Sequence, residues 1–235
     1  MLPNLQEYSS TVNKIIPDEV AIEYGNDLSH SAKPAQPRTS FFYPCWQCAV
    51  DFMFGLLGAV LVLLILPILA LLIYLDSPGP IFYSQERLGL QGKPFRIYKF
   101  RSMRTDAESA GKAVWATRDD ARITRVGRVL RSTHLDELPQ AFNILCGEMS
   151  LVGPRPEREE FAREMELLDS SYHDRLAVKP GLTGWAQVKF GYGEGDHSEL
   201  YKLQYDLYYI AHRSCRFDFV IILKTIIEVL RFHGR

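Results

Sequence analysis

Cysteine is scarce in this chain, charge of either sign is nearly balanced, and apolar residues form a single long run. Four cysteines, Cys45, Cys48, Cys146 and Cys215, in 235 residues are too few and too scattered for a disulfide framework. They fit thiols in a reducing cytosol. Cys45 and Cys48 form a C-x-x-C, but no second Cys or His pair stands at zinc spacing. They read as apolar filler more readily than as a redox or metal pair. The formal net charge of −1 gives no global field for nucleic acid, so any anion site is local. The six histidines form no H-x-x-x-H, and neither G-x-S-x-G nor a P-loop occurs. Gly191-Tyr192-Gly193-Glu194-Gly195 is not a dinucleotide fingerprint, because no strand leads into it. The opening residues, MLPNLQEYSS, have no basic region leading into an apolar one and do not read as a secretory signal.

At 47% hydrophobic and 23% charged, the sequence suffices for one globular domain with a core. Residues 1–40 are polar and weakly patterned and read as a flexible cytosolic arm. The apolar run, FMFGLLGAVLVLLILPILALLIYL from Phe52 to Leu75, carries no charge. At a rise of about 1.5 Å per residue it is long enough for the ~30 Å hydrocarbon core. Two readings compete: a spanning helix that tolerates Pro67 as a kink, and a helix broken at Pro67 that enters and leaves the same leaflet. Arg87, Lys93, Arg96, Lys99, Arg101 and Arg104 follow the run, which places the domain beyond it in the cytoplasm. On the residues alone, spanning ranks ahead of re-entrant. At the other end, FDFVIILKTIIEVLRFHGR sets Lys224, Glu228 and Arg231 on a narrow stripe opposite a broad apolar face. It suits a core helix or one lying in the bilayer interface.

DSPGP (76–80) stops the membrane helix. IFYSQERLG and PFRIYKFRSM read as two strands joined by a turn at LQGKP. Residues 117–133 carry Arg118, Arg122, Arg125, Arg128 and Arg131 at near-helical intervals, usually the mark of a solvated helix face. Residues 157–177 read as a surface helix pair, and VKPGLTGWAQVKFGYGEGD as a glycine-rich loop with Trp185 and Gln187. LYKLQYDLYYIAH reads as a helix with Asp206 in its middle, either a hydrogen-bonded buried carboxylate or a second metal or substrate contact.

The richest segment is LDELPQAFNILCGEMSLVGPRP. Pro139 is acceptable only in the first turn of a helix, which places Asp136 and Glu137 at a helix start. A phosphate there meets free N–H groups and the positive end of the dipole. The bland reading is a helix cap. Arg131, the second acidic site Glu148, Arg155 and the nearby membrane segment favour a metal-and-phosphate site instead.

In order, SPGPIFYSQERLGLQGKPFRIYKFRSM, LDELPQAFNILCGEMSLVGPRPE, KPGLTGWAQV and KLQYDLYYI resemble the bacterial sugar transferases over roughly residues 50 to 232. These are monotopic phosphoglycosyl transferases, which load a polyprenyl phosphate with a sugar phosphate. The resemblance implies an α+β fold: a re-entrant membrane helix (41–76), then a small cytoplasmic α/β catalytic domain (77–235) with interfacial amphipathic helices. It implies Asp136 as the nucleophile toward a UDP-sugar and undecaprenyl phosphate as the acceptor. Glu137 becomes the second catalytic residue and the Mg²⁺ ligand. Lys99, Arg131 and Arg155 become phosphate contacts, and Asp206 and Gln187 substrate contacts. Membrane lipids are implied as partners, and a homodimer is left open. The site then faces the cytoplasm from the bacterial inner membrane, at the first step of exopolysaccharide, capsule or O-antigen synthesis. The re-entrant form also displaces the spanning preference. This chain departs from the family at three places: Gln47-Cys48 stands where a Lys-Arg pair precedes Asp51, Leu66-Pro67 replaces a Ser-Pro one turn earlier, and His134 replaces a serine. Larger members carry further membrane helices upstream, so a compact form is expected. The competing reading is a bitopic membrane-anchored scaffold without chemistry, for which an intact Asp-Glu dyad has no use.

Overall fold

The computed structural model describes residues 40–107, 120–190 and 196–230. The expected arm before residue 40, Arg118, the Gly191–Gly195 motif and Arg231 lie outside the described residues. Helix α1 (Tyr43–Asp76) is 34 residues long, about 50 Å at the standard rise. Pro44 sits in its first turn, where a missing N–H costs nothing. The helix contains Pro67 and runs through it as one element.

One face of α1 lies on the rest of the protein. Tyr43, Val50, Asp51, Gly55, Ala59, Val62 and Ile73 are buried, and Ile65, Leu66 and Leu69 pack into the cluster that holds Val62 and Ile73. Steps of three and four residues keep these side chains in one stripe. The other faces remain uncovered, with Leu57, Leu63, Leu64 and Leu75 exposed. Both ends are tied to the domain. Asp51 Oδ1 accepts from Ser150 Oγ at 2.9 Å and from the Leu151 amide at 2.8 Å, and Gln47 Nε2 donates to Ser150 Oγ at 3.0 Å. At the far end, Asp76 Oδ2 accepts from the Val126 amide at 2.8 Å, and Arg101 reaches the carbonyls of Ser77 and Pro78.

Strands β1 (Phe82–Leu88) and β2 (Pro94–Phe100) form the expected antiparallel hairpin, with Tyr83 opposite Lys99. The connection is tight enough to put Gln91 and Gly92 at positive φ. Helix α2 (Arg125–Ser132) is capped by Thr124, whose Oγ1 accepts from the Gly127 amide. It is shorter than the arginine spacing suggests: Arg122 lies before it, turned onto Asp120. Helix α3 (Gln140–Leu145) follows a separate 3₁₀ turn at Leu135–Glu137. Asn143 ties α3 to β2, accepting from the Tyr98 amide at 3.1 Å and donating to the Arg96 carbonyl at 2.7 Å.

Strands β3 (Ser150–Val152) and β4 (Gly181–Thr183) pair in parallel. Gly153 and Gly181 meet backbone to backbone beside this pair, where a Cβ on Gly181 would lie 2.1 Å from the Gly153 nitrogen. Between these strands run α4 (Glu159–Leu168) and a 3₁₀ segment, Ser170–Ala177. That segment buries Tyr172 and Arg175 and is not the surface helix expected. The expected glycine-rich loop is ordered as β4 followed by α5 (Trp185–Phe190). Helices α6 (Asp196–His212) and α7 (Cys215–Leu230) complete the chain.

Val50, Leu151, Val152, Tyr209, Ile210 and Ile221 form a core where α1, β3, α6 and α7 meet. At its edge Tyr43 and Tyr209 both donate to Asp218, each at 3.0 Å. Only Asp218 and Ile221 of α7 are buried; Phe219, Val220, Leu223, Ile226, Ile227 and Leu230 are exposed, while Lys224 and Glu228 are half-buried. A core helix has the reverse pattern, so α7 leaves its apolar face uncovered by the rest of the described residues. The coarse expectation holds: mixed helix and small sheets behind one long apolar helix.

Candidate active site

Asp136 and Glu137 belong to the 3₁₀ turn between α2 and α3, and Pro139 caps α3. His134 adopts the left-handed conformation (φ 57°, ψ 13°), which reverses the chain after α2 and brings the dyad back under β2. Its side chain makes no cap bond. Burial lowers the His134 pKa, and the nearby Arg155 and Lys99 add to that.

The two acids have opposite surroundings. Glu137 is clamped: Lys99 Nζ donates to Oε1 at 2.7 Å, and Arg155 reaches Oε1 at 2.5 Å and Oε2 at 3.4 Å. Burial works against its charge, but Arg155 and Lys99 outweigh it and hold the carboxyl well below the usual range. Asp136 is 7% exposed, and among the described residues its carboxylate accepts no hydrogen bond. Burial, with the charge of Glu137 second, pushes it up to about 6 against the pull of Lys99, Arg131 and Arg155. Lys99 is lowered by burial, with Glu137 opposing. The site therefore holds one neutralised carboxylate and one buried carboxylate without donors, inside three cations. A desolvated, unbonded carboxylate oxygen has the properties of a nucleophile, and the surplus positive charge suits a diphosphate.

Of the residues expected from sequence, Lys99, Arg131, Asp136, Glu137 and Arg155 converge. Arg131 is turned by Ser102, whose Oγ accepts from its Nε at 3.1 Å. Ser102 was not foreseen, although it stands three residues beyond Lys99. Three further residues singled out from sequence stand apart from this cluster. Glu148 is exposed at the opposite end of α3, where it accepts from Asn143 Nδ2, because the helix separates it from the dyad. Asp206 is 1% exposed and pairs with Arg175 Nε at 2.8 Å, as the buried-carboxylate reading has it. Gln187 Nε2 donates to the Leu182 carbonyl at 3.2 Å, and no hydrogen bond links it to the dyad or its cations. Arg175 gave no sequence signal, since the partners that tie it to the site, Arg155 and Asp206, lie 20 and 31 residues away.

Among the described residues no group of three or more His, Cys, Asp or Glu side chains is placed to hold a metal. The donor set of Asp136 and Glu137, two adjacent hard carboxylates, still suits Mg²⁺, which commonly takes one or two carboxylates and completes its shell with water and substrate phosphate. Glu137 spends three of roughly four lone-pair directions on Lys99 and Arg155. A metal there needs those cations to turn toward an incoming phosphate.

A family model described as "Bacterial sugar transferase" matches residues 42–232. A UDP-N-acetylgalactosamine-undecaprenyl-phosphate N-acetylgalactosaminephosphotransferase of Aeromonas hydrophila is 46% identical over 165 residues, 70% of this chain and 39% of the relative. A UDP-glucose:undecaprenyl-phosphate glucose-1-phosphate transferase of Escherichia coli (strain K12) is 43% identical over 177 residues, 73% of this chain and 38% of the relative. The chain thus spans about two fifths of the length of these relatives. An exopolysaccharide production protein PSS of Rhizobium leguminosarum bv. phaseoli is 42% identical over 184 residues, 76% of this chain and 92% of that protein. With the match running from the start of α1 to beyond the end of α7, this chain belongs to the bacterial sugar transferase family.

Proposed function

We propose that this chain is a phosphoglycosyl transferase that moves a sugar-1-phosphate from a UDP-sugar to undecaprenyl phosphate. The observation that carries this reading is the contrast within the dyad: Glu137 fixed by two cations, Asp136 buried beside them without a donor. An Asp136 oxygen attacks the β-phosphorus of the UDP-sugar. The bond from that phosphorus to the bridging oxygen breaks, and UMP leaves with the electron pair. The product is a phosphosugar on the Asp136 carboxylate. An oxygen of undecaprenyl phosphate then attacks the same phosphorus, freeing Asp136 and giving the polyprenyl-diphosphate sugar. Splitting the transfer into two displacements lowers each barrier. Lys99, Arg131 and Arg155 bind the phosphates and counter charge in both steps. When Mg²⁺ is bound, Glu137 would hold it, and it supplies neutralisation of diphosphate charge. The family and the substrates in the relatives' printed names support this donor and acceptor.

The same reading makes α1 monotopic and puts the site at the cytoplasmic face of the bacterial inner membrane. Contacts with the domain recur along α1 from Tyr43 to Ile73. A bitopic span would draw the domain that lies along α1 into hydrocarbon, where its polar and charged groups are costly. A helix embedded shallowly, with its free face toward lipid, avoids this cost and brings a lipid phosphate to the dyad.

The test is UMP release by the purified chain from a panel of UDP-sugars with undecaprenyl phosphate in lipid nanodiscs. Turnover is expected with one or more sugars, with a phosphosugar adduct on the Asp136 peptide. Full turnover by Asp136→Asn would overturn the covalent mechanism. No turnover with any UDP-sugar would favour a scaffold.

A further inference from the structure

The turn that presents Arg155 is short of hydrogen-bond donors of its own. Pro154 and Pro156 have no amide hydrogen, yet all three carbonyls of Pro-Arg-Pro are gripped, each by a different element. The Pro154 carbonyl accepts from the Gly181 amide at 2.8 Å, at the start of β4. The Pro156 carbonyl accepts from Arg87 Nη1 at 3.4 Å, on β1. The Arg155 carbonyl accepts from Arg175 Nη2 at 3.2 Å. Arg175 is buried at 7% exposure and is itself held at three points. Its Nε donates to Asp206 Oδ2, its Nη1 donates to the Tyr172 hydroxyl, and the guanidinium lies 4.7 Å over the Tyr172 ring.

A buried guanidinium is costly unless its donors are placed and its charge is paired. Here the pairing comes from Asp206, in the middle of α6, and an Nη2 donor goes to the backbone of the residue that clamps Glu137. Lysine has a compact ammonium without the planar fork and cannot reproduce that three-way geometry. We propose that Arg175, charged and oriented by Asp206, is a positioning residue that fixes the Pro154-Arg155-Pro156 turn and so aims Arg155 at Glu137 and the donor phosphate. This rests on the phosphate role of Arg155 argued above, and it assigns Asp206 to support of the site in place of substrate contact.

The experiment combines two readouts on the full chain in nanodiscs. Arg175→Lys and Asp206→Asn are compared with wild type for UMP release and for phenylglyoxal modification at Arg155, read by peptide mass spectrometry. Each variant is expected to lose turnover by about 10²-fold, the scale of an ångström-sized misplacement. Each is also expected to raise Arg155 modification several-fold. In an Arg155→Ala background, Arg175→Lys should cost almost nothing further, because residues acting through one another are not additive. A folded Arg175→Lys with wild-type turnover and wild-type Arg155 labelling overturns the proposal. So does the same fold loss in both backgrounds, which would give Arg175 a role of its own. If Arg175→Lys does not fold, Asp206→Asn carries both tests. If wild type releases no UMP, the enzymatic reading fails, and Arg155 labelling alone still decides the positioning role.

Discussion

Replacing Arg155 with lysine keeps a positive charge beside Glu137 but removes the fork that reaches both of its oxygens. UMP release should fall about 10²–10³-fold, the usual cost of losing one preorganised donor on a developing charge. Lys99→Met should cost as much, and in addition release Glu137 from its other cation. Activity within tenfold of wild type in either variant would remove that residue from the phosphate site. At this scale the sequence was readable where chemistry is local. Asp136 and Glu137 are adjacent, and Arg131 and Arg155 lie within one motif-dense stretch. What escaped were the supporting partners set by tertiary contact. Ser102 turns Arg131, and Arg175 backs Arg155, across separations that no periodicity records. Asp206 was left open between two roles for the same reason, since a mid-helix carboxylate reads alike whether it meets substrate or a buried arginine.

Helix α1 rests on α3, the helix that begins just after the dyad, through two glycines. A Cβ on Gly58 would lie 2.7 Å from the Ala141 Cβ, and one on Gly55 would lie 3.0 Å from the Leu145 side chain. Gly58→Leu should therefore destabilise the folded chain by about 1–3 kcal/mol through overpacking. Thermal unfolding in detergent would show this as a Tm lower by about 2–4 °C per kcal/mol. Leu64→Ala, on the uncovered face, is the control and should leave Tm nearly unchanged. An unshifted Tm for Gly58→Leu would mean that the two helices are not in close contact.

Helix α7 offers a pH test. Burial pushes Asp218 up to about 6, against the donors Tyr43 and Tyr209. Its folded pKa thus exceeds the ordinary unfolded value of about 3.9. The native state binds the extra proton between those two values, so this group's contribution is fully present below about pH 3.9 and is lost as pH rises through about 6. Tm of Asp218→Asn minus Tm of wild type should therefore increase between pH 5 and pH 7.5. A difference that does not change with pH would refute the shift.

For the molecule as a whole, the two ends of α1 are the decisive markers. Cys45 and Cys48 are exposed near its start, Cys146 is exposed on the domain, and an exposed Pro80→Cys would mark the chain just past its end. An impermeant maleimide should leave all four unlabelled in spheroplasts and label all four in inverted membrane vesicles. Labelling of Cys45 and Cys48 from outside the spheroplast, with Cys146 protected, would establish a spanning helix.

Elements and chemistry that depend on neighbours along the chain were legible in the residues. A long uncharged run dictates a membrane-seeking helix, alternating aromatic and β-branched residues dictate the β1–β2 hairpin, and an Asp-Glu pair ahead of a helix-initiating proline dictates an anion-ready turn. Folding set which face of α1 is used, which acid is clamped and which is left bare, and where Asp206 and Glu148 point. Hydropathy measures whether a segment leaves water and not what it then touches, and Pro67 permits a kink without requiring a break. The ranking of Asp136 against Glu137 depends on burial and on cations delivered by β2 and by the Pro154–Pro156 turn, distant segments that meet only in the folded chain.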